Sequence, residues 1–359
     1  MNVQPIIVMS SLLIGVTAVL AAADFFLASH KEKKIKINDE EELPVSGDKT
    51  LLNVLSENEI FIPSACGGKA TCGHCKVEVE EGGGEVLPTE EVLLTPEDQE
   101  NNVRLACQVK VKDDISIQLP VELLDVEEYT AEILEIRDVT PLIKYIRMKL
   151  ISPQEIDFKP GQYVQIMVPG FEEYRAYSIA SPPSQKDLVE FTIRLIPGGL
   201  CTSYIHFALE EGDTVKFTGP YGDFYLREDS DREVICIGGG AGMAPLRSIV
   251  YHLREQGMPR PTRYYFGAQA IKDIFFEEEF RQIEEEYSDF KFYLALSDPD
   301  PNDDWDGDIG FITDSVAKYE DSLENAEAYL CGPPPMLRAA ERVLADKNMP
   351  PENVRYDEF

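Results

Sequence analysis

Basic residues are scarce in this chain. Only 33 Lys and Arg stand against 66 Asp and Glu, a formal net charge of −33 over 359 residues. Recognition of a phosphate backbone needs a basic footprint, so binding to nucleic acid is excluded. The surplus acid serves solubility or adaptation to a salty cytoplasm, or it raises the encounter rate with a basic partner. A disulfide framework is missing too: seven cysteines is an odd number, and the chain is long enough for two or three domains with cores of their own. Apolar residues make up 43% and charged residues 28%, as in globular proteins, which excludes extended disorder.

Lys and Arg are also absent where a secretory leader would carry them, ahead of the first apolar stretch. From Pro5 to Ser29 the chain is nearly continuously apolar, through Ile6, Ile7, Val8, Leu12, Leu13, Ile14, Val16, Val19, Leu20, Phe25, Phe26 and Leu27. About twenty such residues cross a bilayer core. Positive charges follow at Lys31, Lys33, Lys34 and Lys36, which by the positive-inside rule leaves everything after residue 30 in the cytoplasm. The expectation is a single-pass transmembrane helix over residues 1–30, anchoring the folded domains to the cytoplasmic face of the inner membrane. Asp24, near the cytoplasmic end, either snorkels to the interface or pairs with a neighbouring helix. One helix forms no pore, so any ion movement falls to other subunits.

Three of the seven cysteines crowd into ten residues. Cys66, Cys72 and Cys75 lie in a glycine-bearing loop, and Cys107 follows after a long gap. Three close thiols and one distant one hold a [2Fe–2S] cluster in plant-type ferredoxins, although the first gap here is five residues rather than four. Zinc is the alternative, but structural zinc sites come as two close pairs. Glycines suit such a loop because it needs positive-φ positions and backbone N–H groups aimed at sulfur. His74, between two ligands, is read as a solvent-facing loop residue. Around the loop, Ile35 and Ile37 suggest a hairpin, Thr50 to Val54 a short helix, and Lys76 to Glu80 and Ile115 to Leu119 alternating strands. Glu81 to Val86 reads as a turn. A small mixed sheet grasping one helix fits, giving a β-grasp ferredoxin domain over 31–123.

No long helical period follows, apart from Ser203 to Leu209. Short alternating runs at Ala131 to Ile136, Lys144 to Leu150, Tyr163 to Val168, Glu190 to Leu195 and Thr214 to Thr218 predict an antiparallel β-barrel over 126–228. Within it, Arg175, Tyr177 and Ser178 form one short motif. Gly198, Gly199, Thr202 and Ser203 then open a helix, whose N-terminus is a ready site for pyrophosphate.

The last part lacks the G-x-G-x-x-G turn of a Rossmann fold. Instead a buried strand, Glu233 to Ile237, runs into Gly238, Gly239, Gly240, Gly242, Met243 and Pro245, a turn that brings backbone close to a pyrophosphate. Strands at Arg263 to Gly267 and Lys291 to Ser297 alternate with helical segments at Phe275 to Glu286 and Pro334 to Ala345. They predict a doubly wound α/β domain over 231–359. A further strand from Glu327 ends in Cys331 and Gly332, then prolines. An Arg for a 2′-phosphate is missing near Phe266 to Ala270, where only Lys272 is close, which favours NADH over NADPH. Cys201 and Cys236 are read as ordinary packing residues.

Together these motifs resemble the ferredoxin–NADP reductase superfamily. The resemblance implies that Arg175 pairs with the flavin pyrophosphate, Tyr177 packs on the isoalloxazine and Ser178 hydrogen-bonds flavin N5. It implies FAD, with FMN as the alternative, and a dinucleotide held by the turn from Gly238 to Pro245 and by Gly332. Cys331 would lie near the nicotinamide C4, or else be a buried structural thiol. Phe359 would stack over the flavin and yield to nicotinamide, or simply finish a strand.

Over nearly its whole length the chain is similar to the family of F subunits of sodium-translocating NADH:quinone reductases. The similarity rests on the N-terminal run, the cysteine spacing, the stretch from Gly82 to Glu90, the stretch from Arg104 to Gln108 and the ending Asp357, Glu358, Phe359. It implies an electron-input subunit beside integral membrane subunits of a respiratory complex, reaching quinone only indirectly. One departure is plain: that family carries an insertion before its Arg-Ala-Tyr-Ser motif, whereas here Gly161 to Arg175 is compact. Nicotinamide delivers two electrons as hydride and a [2Fe–2S] cluster takes one at a time, so a flavin between them is the needed converter. Such chemistry calls for positioning rather than a general acid or base. Two other readings are a reductase component feeding an oxygenase and a membrane-anchored ferredoxin without enzymatic activity; intact Arg175, Ser178 and Gly238 to Gly242 argue against the latter.

Overall fold

The computed structural model describes residues 13–17, 19, 33–171 and 174–358. Among them the chain forms three sheets, one after another.

The first holds β1 (Lys33–Ile37), β2 (Glu41–Val45), β3 (Lys76–Glu81), β4 (Val103–Leu105) and β5 (Ile115–Gln118), in the order β2-β1-β5-β3-β4. The β1 and β5 strands run parallel, and their neighbours antiparallel. Alternation decides which side is inside: Ile35, Ile37, Leu43, Val45, Val77, Val79, Ile115 and Ile117 all turn into one core. The helix Leu51–Glu57 lies on it through Leu51, Val54 and Leu55, and starts where the Thr50 hydroxyl accepts from the Asn53 N–H.

The second sheet is wholly antiparallel. It holds β6 (Glu127–Thr140), β7 (Ile143–Ser152), β8 (Tyr163–Met167), β9 (Tyr174–Ser178), β10 (Leu188–Arg194) and β11 (Thr214–Tyr221), in the order β10-β7-β6-β11-β8-β9. It curls until its edges meet: just past β9, the Ala180 N–H donates to the Glu190 carbonyl of β10 at 2.7 Å. The helix Leu200–Phe207 buries Cys201 and Ile205 in the same core.

The third sheet is parallel: β12 (Glu233–Gly239), β13 (Thr262–Ala268), β14 (Phe290–Leu296), β15 (Asp308–Ile309), β16 (Ala326–Gly332) and β17 (Val354–Glu358), in the order β15-β14-β13-β12-β16-β17. The central strands β12 and β16 are buried on both faces, so they read as near-continuous apolar runs. Val234 and Cys236 of β12 join one core with the helices Met243–Glu255 and Glu277–Glu286. Ile235 and Ile237 join the other, with Ile312–Tyr319 and Pro334–Asp346.

Buried polar ties join the second and third sheets. Arg247 pairs with Glu190 at 2.6 Å and donates to the Ala180 carbonyl at 3.0 Å, and the Ser248 hydroxyl donates to the Ser181 carbonyl at 2.7 Å. At the N-terminus, residues 13–17 and 19 are helical, with Leu13, Ile14, Val16 and Val19 exposed. Among the described residues no helix is long and apolar enough to cross a membrane; the rest of the run from Pro5 to Ser29 lies outside them.

Candidate active site

The four clustered cysteines gather at one end of the first sheet. Cys66 and Cys72 share a hydrogen bond, and so do Cys75 and Cys107. The bond from Cys72 pulls the Cys66 thiol down to about 3, and that from Cys75 pulls Cys107 down to about 7, whereas Cys72 and Cys75 are pushed up by the same bonds and by burial. Among the described residues no three His, Cys, Asp or Glu side chains are grouped to hold a single metal ion. Two thiol pairs side by side suit a binuclear group with two thiolates per iron, so the donor set fits a [2Fe–2S] cluster. The Ala106 N–H donates to the Cys75 carbonyl at 2.8 Å, which ties the strand end before Cys107 to the loop.

The cluster loop lies on β8 and β9. The Gln165 side chain accepts from the Ser64 N–H at 2.5 Å and donates to the Ile62 carbonyl at 3.4 Å, both residues of this polar contact, Ser64 and Gln165, being buried. His74 is exposed, as expected, and places Nδ1 3.5 Å from the Tyr163 hydroxyl. Only the docking of one domain on another brings these together, and nothing local in the loop signals it.

Arg175, Tyr177 and Ser178 all fall on β9. Cys201 packs in the barrel core as expected, where the Tyr177 hydroxyl hydrogen-bonds its sulfur and burial raises the Cys201 thiol above its ordinary value. Gly199 is the N-cap of the helix Leu200–Phe207, with Gly198 before it and Thr202 and Ser203 in its first turn. Its N-terminal N–H groups and the Arg175 guanidinium make a donor set that fits a flavin phosphate.

Gly238 and Gly239 end β12, Gly240 and Gly242 form a single 3₁₀ turn, and Met243 and Pro245 begin the helix Met243–Glu255. A Cβ on Gly242 would fall 2.2 Å from the Cys331 carbonyl oxygen, so glycine lets the turn close on the end of β16. This leaves backbone at the carboxyl ends of the parallel strands, where a dinucleotide fits. Cys331 itself is fully buried and burial pushes its thiol up; Gly332 follows it.

The three regions converge. Ser178 is the register partner of Tyr163, and its hydroxyl donates to Asp357 at 3.3 Å. Asp357 is in turn the register partner of Cys331 on β17. Burial raises the Asp357 carboxyl, with the Ser178 hydroxyl and the charge of His74 drawing it back. Asp357 has no role in the motif reading, because its position depends on pairing between β16 and β17. Phe359 lies outside the described residues. An open cleft of about 1230 Å³ near Tyr225, His252 and Arg355 sits at the opposite end of the parallel strands and holds none of the expected site residues.

Residues 35–112 match the 2Fe-2S iron-sulfur cluster binding domain, 130–225 the oxidoreductase FAD-binding domain and 236–342 the oxidoreductase NAD-binding domain. The F subunit of the Na(+)-translocating NADH-quinone reductase of Marinomonas sp. is 34% identical, covering 99% of this chain and 97% of its own length. Its namesake in Pseudomonas aeruginosa is 35% identical over 98% of this chain and 96% of its own. The chain belongs to this family of F subunits. The aligned length of 399 residues against a chain of 359 means that the Marinomonas member has residues missing here. Among solved structures, an Amycolatopsis cytochrome P450 reductase (TM-score 0.73, 28% identity) covers 91% of this chain and 98% of its own. The ferredoxin reductase of carbazole 1,9a-dioxygenase (TM-score 0.70, 27% identity) has the same coverage.

Proposed function

We propose that this chain is the NADH-oxidising, electron-input subunit of a membrane respiratory complex of the sodium-translocating NADH:quinone reductase type. The observation that carries it is full-length similarity to the F subunits together with four thiols, a flavin-type motif and a nicotinamide-type turn converging within one molecule. Flavin, once bound, supplies conversion between hydride and single electrons.

The protein's own residues bind and orient. Arg175, Tyr177, Gly198, Gly199, Thr202 and Ser203 hold the flavin, and Ser178 with Asp357 faces its reacting edge. Gly238, Gly239, Gly240, Gly242, Met243, Pro245, Cys331 and Gly332 hold NADH, with Phe359 covering the flavin until NADH arrives. Cys66, Cys72, Cys75 and Cys107 hold the cluster. The three sheets are read as a β-grasp domain over 31–123, a flavin barrel over 126–228 and a doubly wound domain over 231–359. Residues 1–30 form the membrane helix, on the cytoplasmic side of which the domains stand. Integral membrane subunits take the electrons onward.

A reductase serving an oxygenase is the second reading, favoured by the P450 and dioxygenase reductases that share the fold. Those cover 91% of the chain and the Marinomonas relative 99%, and the shortfall is close in size to the N-terminal run. Cys72→Ala separates the steps: acceptor reduction through the cluster should vanish while NADH still bleaches the flavin in stopped flow. Loss of both would contradict separate modules.

A further inference from the structure

The loop that carries three of the four clustered thiols touches the flavin motif at one point. A Cβ on Gly67 would fall 2.4 Å from Arg175 Nη1 and 3.3 Å from the Tyr174 carbonyl oxygen, to which Nη1 itself donates at 2.7 Å. Gly67 directly follows the ligand Cys66, and its N–H donates to the Ser64 carbonyl at 2.9 Å. Ser64 is fixed in turn to the buried Gln165 of β8, so the loop cannot back away from β9. We propose that the cluster-binding loop is one wall of the flavin phosphate site. Gly67 backs the Arg175 guanidinium, and docking of the ferredoxin domain thereby sets the affinity for flavin. This rests on the reading that Arg175 holds the flavin phosphate.

The physics makes the coupling specific to one atom group. The neighbour that a side chain at 67 meets first is the far end of a flexible arginine, so the guanidinium gives way rather than the fold. A displaced charge-assisted hydrogen bond then shows as weaker flavin binding. Linkage requires the converse: bound flavin favours the docked loop by the same factor.

Gly68 provides the control. It shares the left-handed conformation, φ +81° against +64° for Gly67, but a Cβ there meets only Leu52 and Cys107 at ordinary contact distances of 3.7 and 3.8 Å. Both Ala variants therefore carry comparable backbone strain, and only one reaches Arg175.

The experiment uses full-length protein in detergent, stripped of flavin and titrated with FAD by fluorescence quenching, with the cluster's visible absorbance followed in parallel. Gly67→Ala should raise the Kd for FAD about tenfold or more at unchanged cluster absorbance, and Gly68→Ala should leave it near wild type. With Arg175→Ala as background, Gly67→Ala should have no further effect. Wild-type affinity in Gly67→Ala, or equal loss in Gly68→Ala, overturns the proposal. If Arg175→Ala binds FAD as wild type does, the assignment of Arg175 falls instead. Should Gly67→Ala fail to hold its cluster, amide exchange in the wild type decides: FAD should slow exchange at the Gly67 and Gly68 N–H groups, and unchanged exchange overturns the coupling.

Discussion

Asp357 carries the least expected chemistry at the scale of single residues. Burial lifts its carboxyl above the ordinary value, so the folded chain holds that proton more tightly than the unfolded chain. Stability therefore falls as pH rises from the ordinary carboxyl value, about 4, up to the raised folded value, and is flat above both. Asp357→Asn should flatten this part of the curve, measured by thermal unfolding between about pH 4 and pH 7; a slope equal to wild type would refute it. The neighbouring Ser178 was legible from its motif, since its company of Arg175 and Tyr177 is contiguous. Asp357 was not, because its partners Ser178 and Cys331 lie far away along the chain and meet it only across strands. His74 stays exposed, as its place in the loop suggests, but nothing in the loop itself reveals its approach to Tyr163.

Among the elements, the two family stretches in the ferredoxin domain explain each other. Glu90 from one is fully buried and takes both ends of the Arg104 fork, at 3.0 and 2.7 Å. Arg104 also donates to the carbonyls of Gly83, Gly84 and Glu85, and Glu90 accepts from the Leu87 and Leu105 N–H groups. Burial alone would raise the Glu90 carboxyl, but these hydrogen bonds outweigh it and hold it below its ordinary value. Arg104→Ala strands a buried carboxylate and should destabilise the domain by about 3–5 kcal/mol. Thermal loss of cluster absorbance measures it, and a loss under about 1 kcal/mol would mean that water replaces the arginine. Arg104→Lys should recover little, because a lysine lacks the planar fork. Strand alternation made most of these elements readable in advance. The helix Ile312–Tyr319 escaped, being short, and the strand Val354–Glu358, half exposed at a sheet edge, was legible only as the alternative reading of the chain's end.

For the molecule as a whole, buried ties make one body of modules that the motifs present separately. Gln165 fastens the first sheet to the second, and Arg247 with Ser248 fastens the second to the third. The N-terminal run has no part in these contacts among the described residues. Deleting residues 1–30 should thus leave flavin and cluster contents unchanged and abolish recovery in the membrane fraction. Persistent membrane recovery would assign attachment to the folded domains.

By itself the sequence determined the chemistry: thiol spacing, glycine turns and apolar periodicity are local, and the motifs read for each cofactor lie in short stretches of chain. The scarcity of basic residues already removed nucleic acid from consideration. What only the tertiary structure decided is how those motifs face one another. The contacts of Gly67 with Arg175, His74 with Tyr163, Ser178 with Asp357 and Arg247 with Glu190 join residues far apart in the chain. Such contacts depend on which surfaces bury against each other, and no local pattern encodes that.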